Sequence, residues 1–202
     1  MSVPRPVRLG LLGGTFDPPH IGHLVAALEA KDQLGLDRVL LVVANEPWQK
    51  VGEREISPAA TRLELVEAAV AAPPGLDASA IEIDRGGPSY TADTIEELRK
   101  VDAQAELVVI LGCDAAALLP TWQRAEVVRR ETSVAVVDRP GCDAALLPAG
   151  WDLVPVTMPA FGISSTEVRA RVRDGRPIDF LVPAGVAAVI DRLGLYRGGR
   201  HD

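Results

Sequence analysis

Two cysteines, Cys113 and Cys142, are all that 202 residues contain, and neither has the spacing of a metal knuckle or a redox pair. Both thiols are expected to be reduced, in the core or at the surface. Histidine is nearly as scarce, with three in the chain. His20 and His23 are close together but His201 is far away, so zinc would lack its three or four ligands. An excess of basic residues is also missing: the net charge is −7, which argues against a general nucleic-acid binder. A pocket can still hold phosphates by its local field. No apolar run approaches the ~20 residues that span a bilayer. Met1 to Pro6 lacks the apolar stretch of a signal peptide, so a cytoplasmic location without membrane or nucleic-acid partners is expected. Neither G-x-G-x-x-G nor G-x-x-x-x-G-K-[ST] occurs, which disfavours a nicotinamide-type dinucleotide fingerprint and a P-loop. No repeat or low-complexity linker divides the chain. One domain over residues 1–196 is expected, with 197–202 a disordered tail.

What is present is 48% apolar residues arranged as strands alternating with helices. Strands are expected at Val7–Leu12, Val39–Ala44, Ala80–Ile83, Leu107–Leu111, Val134–Val137 and Leu153–Val156. Helices are expected at Leu24–Leu34, Pro58–Ala72 with Ser57 as N-cap, Thr91–Val101, Ser164–Arg173 and Pro183–Leu193. Continuous apolar strands separated by helices imply an α/β fold, a parallel sheet with helices on both faces. Ligands of such sheets bind beyond the carboxyl ends of the strands. The longest irregular pieces, 46–56 and 138–150, are candidate lids.

The richest segment lies at such a strand end: Gly13-Gly14-Thr15-Phe16-Asp17-Pro18-Pro19-His20-Ile21-Gly22-His23. A glycine pair alone is a tight strand-to-helix turn. Followed by two histidines one helical turn apart, it becomes a cradle for an anion, because backbone N–H groups converge there and imidazoles donate to phosphate. A second constellation is Ile163-Ser164-Ser165-Thr166-Glu167-Val168-Arg169. Ser164 and Glu167 have capping-box spacing, and cap and phosphate site are both open readings of the hydroxyl run with Arg169 and Arg173.

Three weaker features complete the inventory. Gly112-Cys113-Asp114 ends a strand, where an aspartate caps a helix or holds ribose hydroxyls. Trp122 is either core or a stacking surface for a flat ring. Tyr90-Thr91 opens a helix whose N–H groups could receive a carboxylate, and Lys50 sits in the 46–56 loop, where it could reach an anion.

Two candidate phosphate sites at opposite ends of one chain imply a polyphosphate ligand. In this combination the sequence resembles the nucleotidylyltransferase superfamily, and within it the nicotinate-nucleotide adenylyltransferases. Gly-Gly-Thr-Phe-Asp-Pro-x-His-x-Gly-His at 13–23 and Ile-Ser-Ser-Thr-x-x-Arg at 163–169 carry the superfamily resemblance. Pro-Ser-Tyr-Thr-x-Asp-Thr at 88–94 and Leu-Pro-Thr-Trp at 119–122 carry the narrower one. The resemblance implies a Rossmann-like, doubly wound parallel sheet. It also implies transfer of the adenylyl group of ATP to nicotinate mononucleotide, giving deamido-NAD and pyrophosphate, with Mg²⁺ riding on the ATP phosphates.

By the same resemblance His20, His23 and Arg169 serve catalysis. Gly13, Gly14, Thr15, Phe16, Gly112, Asp114, Ile163, Ser164, Ser165 and Thr166 bind ATP, and Asp17, Lys50, Tyr90, Thr91 and Trp122 place the mononucleotide. Many members carry Pro-Pro-His-Lys after the second strand, whereas this chain has Glu46-Pro47-Trp48-Gln49-Lys50, which keeps the lysine and replaces the histidine. The alternatives are a related enzyme using nicotinamide mononucleotide or phosphopantetheine, and a nucleotide-binding module without activity. A homo-oligomer is compatible with the sequence.

Overall fold

The structure is a computed structural model that describes residues 5–47, 56–138 and 144–198. Its frame is one sheet built from β1 (Arg8–Gly14), β2 (Arg38–Val43), β3 (Leu76–Ser79), β4 (Glu106–Gly112), β5 (Thr132–Val137) and β6 (Leu153–Val156). All neighbouring strands run parallel in the order β3-β2-β1-β4-β5-β6. The order reverses direction between β1 and β4, and at such a switch point the flanking loops part to leave a crevice.

Alternation along the strands divides the core in two. In β4, Val108 and Ile110 face one side and Leu107, Val109 and Leu111 the other. The first side is covered by α1 (Ile21–Leu34), α2 (Ala59–Val70), α7 (Ser165–Arg173) and α8 (Ala184–Leu193). The second is covered by α4 (Thr91–Val101), α5 (Cys113–Ala117) and α6 (Ala125–Glu131). Leu41, Leu65, Ile95 and Ile110 are fully buried, each contributing roughly 1.5–3 kcal/mol of transfer free energy.

Several expectations need correction. The strand expected at Ala80–Ile83 lies earlier, at Leu76–Ser79, and α3 (Ile81–Arg85) occupies most of its place. An edge strand needs few apolar anchors, and here Leu76 is the buried one. A helical turn instead brings Glu82 inward, where its carboxylate accepts from Thr94 Oγ1 at 2.7 Å. The short helices α5 and α6 have no counterpart among the expected elements. Pro58, in extended backbone, takes the N-cap position expected of Ser57. Cys113 is disulfide-bonded rather than reduced. The only other cysteine, Cys142, lies outside the described residues.

The expected tail begins at 197, yet Arg197 is ion-paired to Asp191, and only 199–202 lie outside the described residues. Most of the first candidate lid, 48–55, and part of the second, 139–143, also lie outside them.

Candidate active site

The glycine pair turns out to finish the strand. Gly13 and Gly14 pair with Val42 and Val43 of β2, so the turn proper starts at Thr15. A Cβ on Gly14 would sit 2.9 to 3.1 Å from the Phe16 ring, so glycine is what lets that ring fold back beneath the strand. Phe16 is 2% exposed and takes left-handed backbone, φ 49°, a cost of ~1–2 kcal/mol that burial of the ring offsets.

The turn delivers the two histidines to the start of α1. His20 is the N-cap residue and His23 the third helical residue, because the helix starts at Ile21, three positions before the Leu24 expected from the apolar pattern. The His20 N–H donates to His23 Nδ1 at 3.1 Å. That bond occupies Nδ1 as an acceptor, so a neutral His23 carries its proton on Nε2. The rings stack with centroids 3.7 Å apart at 26°, while Phe16 meets His23 edge-on at 5.1 Å. Gly22 lies under this stack; a Cβ there would fall 3.1 Å from His20 Nδ1.

Helix α7 brings the second constellation to the same place. Ser164 caps it, its Oγ accepting from Glu167 N at 3.1 Å. Ser165 Oγ donates to the Pro18 carbonyl at 2.8 Å, and Arg169 Nη1 donates to the Asp17 carbonyl at 2.7 Å. Arg169 Nη2 meets Thr166 Oγ1 at 3.0 Å. The capping reading of Ser164 therefore holds. Beside it, a hydroxyl and a guanidinium are fastened to the backbone just ahead of His20. Arg173 instead turns to Asp174.

Two clefts are lined in part by residues of this 13–23 segment. One, of about 270 Å³, is lined by Gly13, Gly14 and Thr15 together with Tyr90, Thr91 and Trp122. The indole N–H of Trp122 is buried and has no hydrogen-bond partner among the described residues. Arg124, next but one to Trp122, reaches back to Asp93 at 2.9 Å and to Glu96, tying this wall to α4. The other cleft, of about 190 Å³, is lined by His20, Gly22 and Ile163 with Asp138, Met158 and Phe161. No group of three or more His, Cys, Asp or Glu side chains among the described residues is placed to hold a metal ion.

The cytidylyltransferase-like family model matches residues 11–171, which span the turn, both clefts and most of α7. A protein of Thermus thermophilus named as a probable nicotinate-nucleotide adenylyltransferase is 45% identical over 193 residues, covering 95% of this chain and 100% of its own length. The chain belongs to the nicotinate-nucleotide adenylyltransferase family. A Streptomyces coelicolor member, named in the same way, is 46% identical over 190 residues, 93% of this chain and 100% of its own. The fold matches that of the Plasmodium falciparum nicotinic acid mononucleotide adenylyltransferase complexed with NaAD, with a TM-score of 0.77 at 14% identity. That match covers 94% of this chain and 97% of the other.

Within this member of the family, His20, His23, Ser165, Thr166 and Arg169 converge on the seam. Gly13, Gly14, Thr15, Tyr90, Thr91 and Trp122 share the larger cleft, and Ile163 lines the smaller. Gly112 and Asp114 stand at the end of β4 and the first turn of α5, with Asp114 exposed, and neither lines a cleft. Lys50 lies outside the described residues. Asp17 is 1% exposed, and its carboxylate accepts from Tyr196 Oη at 2.7 Å and from Ser57 N at 3.4 Å.

Arg62 is absent from the sequence-based site. It is 1% exposed and donates to the carbonyls of Thr15, Ala44, Asn45 and Ser57 at 3.0, 2.5, 2.9 and 2.8 Å. These lie on the turn, the exit of β2 and the entry to α2, so one buried guanidinium gathers three segments. A signal for it exists in the sequence: Arg62 falls on the same helical stripe as Leu65, Val66 and Ala69, where a cation is out of place.

Proposed function

We propose that this enzyme transfers the adenylyl group of ATP to the phosphate of nicotinate mononucleotide, releasing pyrophosphate and forming deamido-NAD. The observation that carries this reading is the seam. The two segments rich in phosphate donors, 13–23 and 164–169, are bonded to each other through Arg169 and Ser165, and residues of 13–23 line both clefts. A triphosphate lying in one cleft and a mononucleotide in the other meet with their phosphates at this line. The family relatives and the fold match to a protein complexed with NaAD support the same pairing of substrates.

The chemistry needs no general base. A phosphate oxygen of the mononucleotide, already anionic, attacks the α-phosphorus of ATP. The bond from that phosphorus to the bridging oxygen breaks, and the electron pair leaves with pyrophosphate. Catalysis then consists of aligning two anions that repel and of neutralising the departing charge. In this reading His20 and His23 sit beside the α-phosphate, with His23 donating from Nε2. Ser165, Thr166 and Arg169 take the leaving phosphates. Thr15 and Phe16 border the reacting groups, and Gly112 and Asp114 keep their assignment to adenosine on the sequence resemblance alone.

The larger cleft fits the acceptor. Trp122 offers a flat apolar face to a pyridine ring, and the N-terminus of α4 at Tyr90-Thr91 offers N–H groups to its carboxylate. Mg²⁺ arrives with ATP. The seam is built of N–H, hydroxyl, imidazole and guanidinium groups, a donor set for phosphate oxygens, so it supplies no cage and the ion is held by the nucleotide and water.

The test is pyrophosphate release from ATP and Mg²⁺ with nicotinate mononucleotide, nicotinamide mononucleotide and phosphopantetheine offered separately. Strong preference for the nicotinate compound is expected. Preference for another acceptor overturns the acceptor assignment, and no release with any of them favours a binding module.

A further inference from the structure

Tyr196 follows the last helix and lies 179 positions from Asp17, yet its hydroxyl donates to Asp17 Oδ1 at 2.7 Å. Its backbone is left-handed, φ 61°, a conformation that a side chain of this size rarely adopts unless its surroundings hold it. Leu195 and Tyr196 pack onto the core face that also contains Phe16, Leu24 and Val168. The last residues of the described chain thus reach the underside of the turn that carries His20.

Asp17 is a junction. Its carboxylate is buried and receives Tyr196 and the Ser57 N–H, while its carbonyl receives Arg169 at 2.7 Å. The next carbonyl, that of Pro18, receives Ser165 at 2.8 Å. The polyanion donors are therefore fastened to backbone whose position depends on what holds the Asp17 side chain. Burial first, and the Asp17 charge second, push the Tyr196 phenol far above its ordinary range, so it stays a proton donor throughout physiological pH.

We propose that Tyr196 is a positioning residue of this active site: its hydroxyl anchors the buried Asp17 carboxylate and thereby sets the backbone on which Arg169 and Ser165 present themselves to the ATP phosphates. Asp17 then serves the reaction from behind the turn. The inference rests on the reading of Arg169 and Ser165 as phosphate ligands.

The experiment is calorimetric titration of Mg-ATP into the full-length protein, without any acceptor. Wild type, Tyr196→Phe, Arg169→Ala and the double variant are compared, and each unfolding temperature is recorded. Tyr196→Phe keeps the ring and removes only the donor. It should weaken ATP binding about tenfold, as expected for losing a hydrogen bond to a charged group. In the Arg169→Ala background the same change should weaken binding by clearly less than tenfold, because of the two positioned groups only Ser165 remains. Leu195→Ala, which removes packing and no hydrogen bond, should lower the unfolding temperature and leave ATP affinity within about twofold.

Unchanged affinity in Tyr196→Phe overturns the proposal, as do losses that multiply in the double variant. So does weakened binding in Leu195→Ala matching that of Tyr196→Phe, which would mark the effect as general destabilisation. Failure of wild type to bind Mg-ATP would instead sink the adenylyl-transfer reading itself.

Discussion

Arg62 donates to the main-chain carbonyl of Thr15 at 3.0 Å, reaching the turn that leads to His20 out of helix α2. The same guanidinium holds three other carbonyls, so the turn, the end of β2 and the lead-in to α2 share one buried cation. Lysine cannot replace it, because an ammonium is a compact point charge and these acceptors are spread around a planar fork. Arg62→Lys should leave at least two carbonyls unsatisfied, at ~1–3 kcal/mol each. Scanning calorimetry should show an unfolding temperature lower by roughly 5–10 °C. A shift under about 2 °C would mean that the four bonds contribute little.

The two histidines should separate in their effects. His20→Ala is expected to reduce turnover by on the order of 10²-fold, the loss typical of one donor at a developing charge. His23→Ala removes in addition the acceptor of the His20 N–H. It should therefore lower the unfolding temperature, by about 2–4 °C for a cap-like loss near 1 kcal/mol. Steady-state kinetics with thermal unfolding on both variants checks this, and wild-type turnover in His20→Ala would remove it from the mechanism.

Ser164 and Ser165 stand side by side with different tasks. Ser164 Oγ caps α7, whereas Ser165 Oγ reaches across to Pro18. Ser164→Ala should cost about 1 kcal/mol of stability and change the KM for ATP by less than about threefold. Ser165→Ala should raise that KM by about tenfold or more. The reverse pattern would exchange the roles.

Arg124 ties the Trp122 wall to α4 through Asp93 and Glu96. Its hydrogen bond holds the Glu96 carboxyl below its ordinary value. A carboxylate lowered in the folded state stabilises above the unfolded value, and that contribution is lost as pH falls through the folded one. The urea midpoint of Arg124→Gln should therefore fall below that of wild type at pH 7, with the gap closing as the pH falls below the ordinary carboxylate range. A gap that persists in acid would show that Arg124 acts by packing.

Much of this fold is legible in the sequence where the signal is local. Leu107–Leu111 and Val134–Val137 are continuous apolar runs, the mark of strands buried on both faces, and Thr91–Val101 forms the helix its pattern predicts. Ile81 and Ile83 mislead because alternation at an edge imitates a strand, while Glu82 between them is drawn inward by Thr94. The same division holds at the site. The segments 13–23 and 163–169 announce themselves as contiguous motifs. Their union does not, because it consists of side chains meeting backbone carbonyls 147 and 152 positions away. Tyr196 has no local mark at all, since its partner lies at the other end of the chain.

In the proposed function both substrates' phosphates meet at the seam of Asp17, His20 and Arg169, and the adenylyl group crosses it. The most direct measurement follows ATP labelled at the α-phosphorus, or separately at the γ-phosphorus, through one turnover with nicotinate mononucleotide. The α label is expected in the dinucleotide and the γ label in pyrophosphate, with both yields collapsing in Arg169→Ala. Label appearing in inorganic phosphate, or a dinucleotide without the α label, would contradict it.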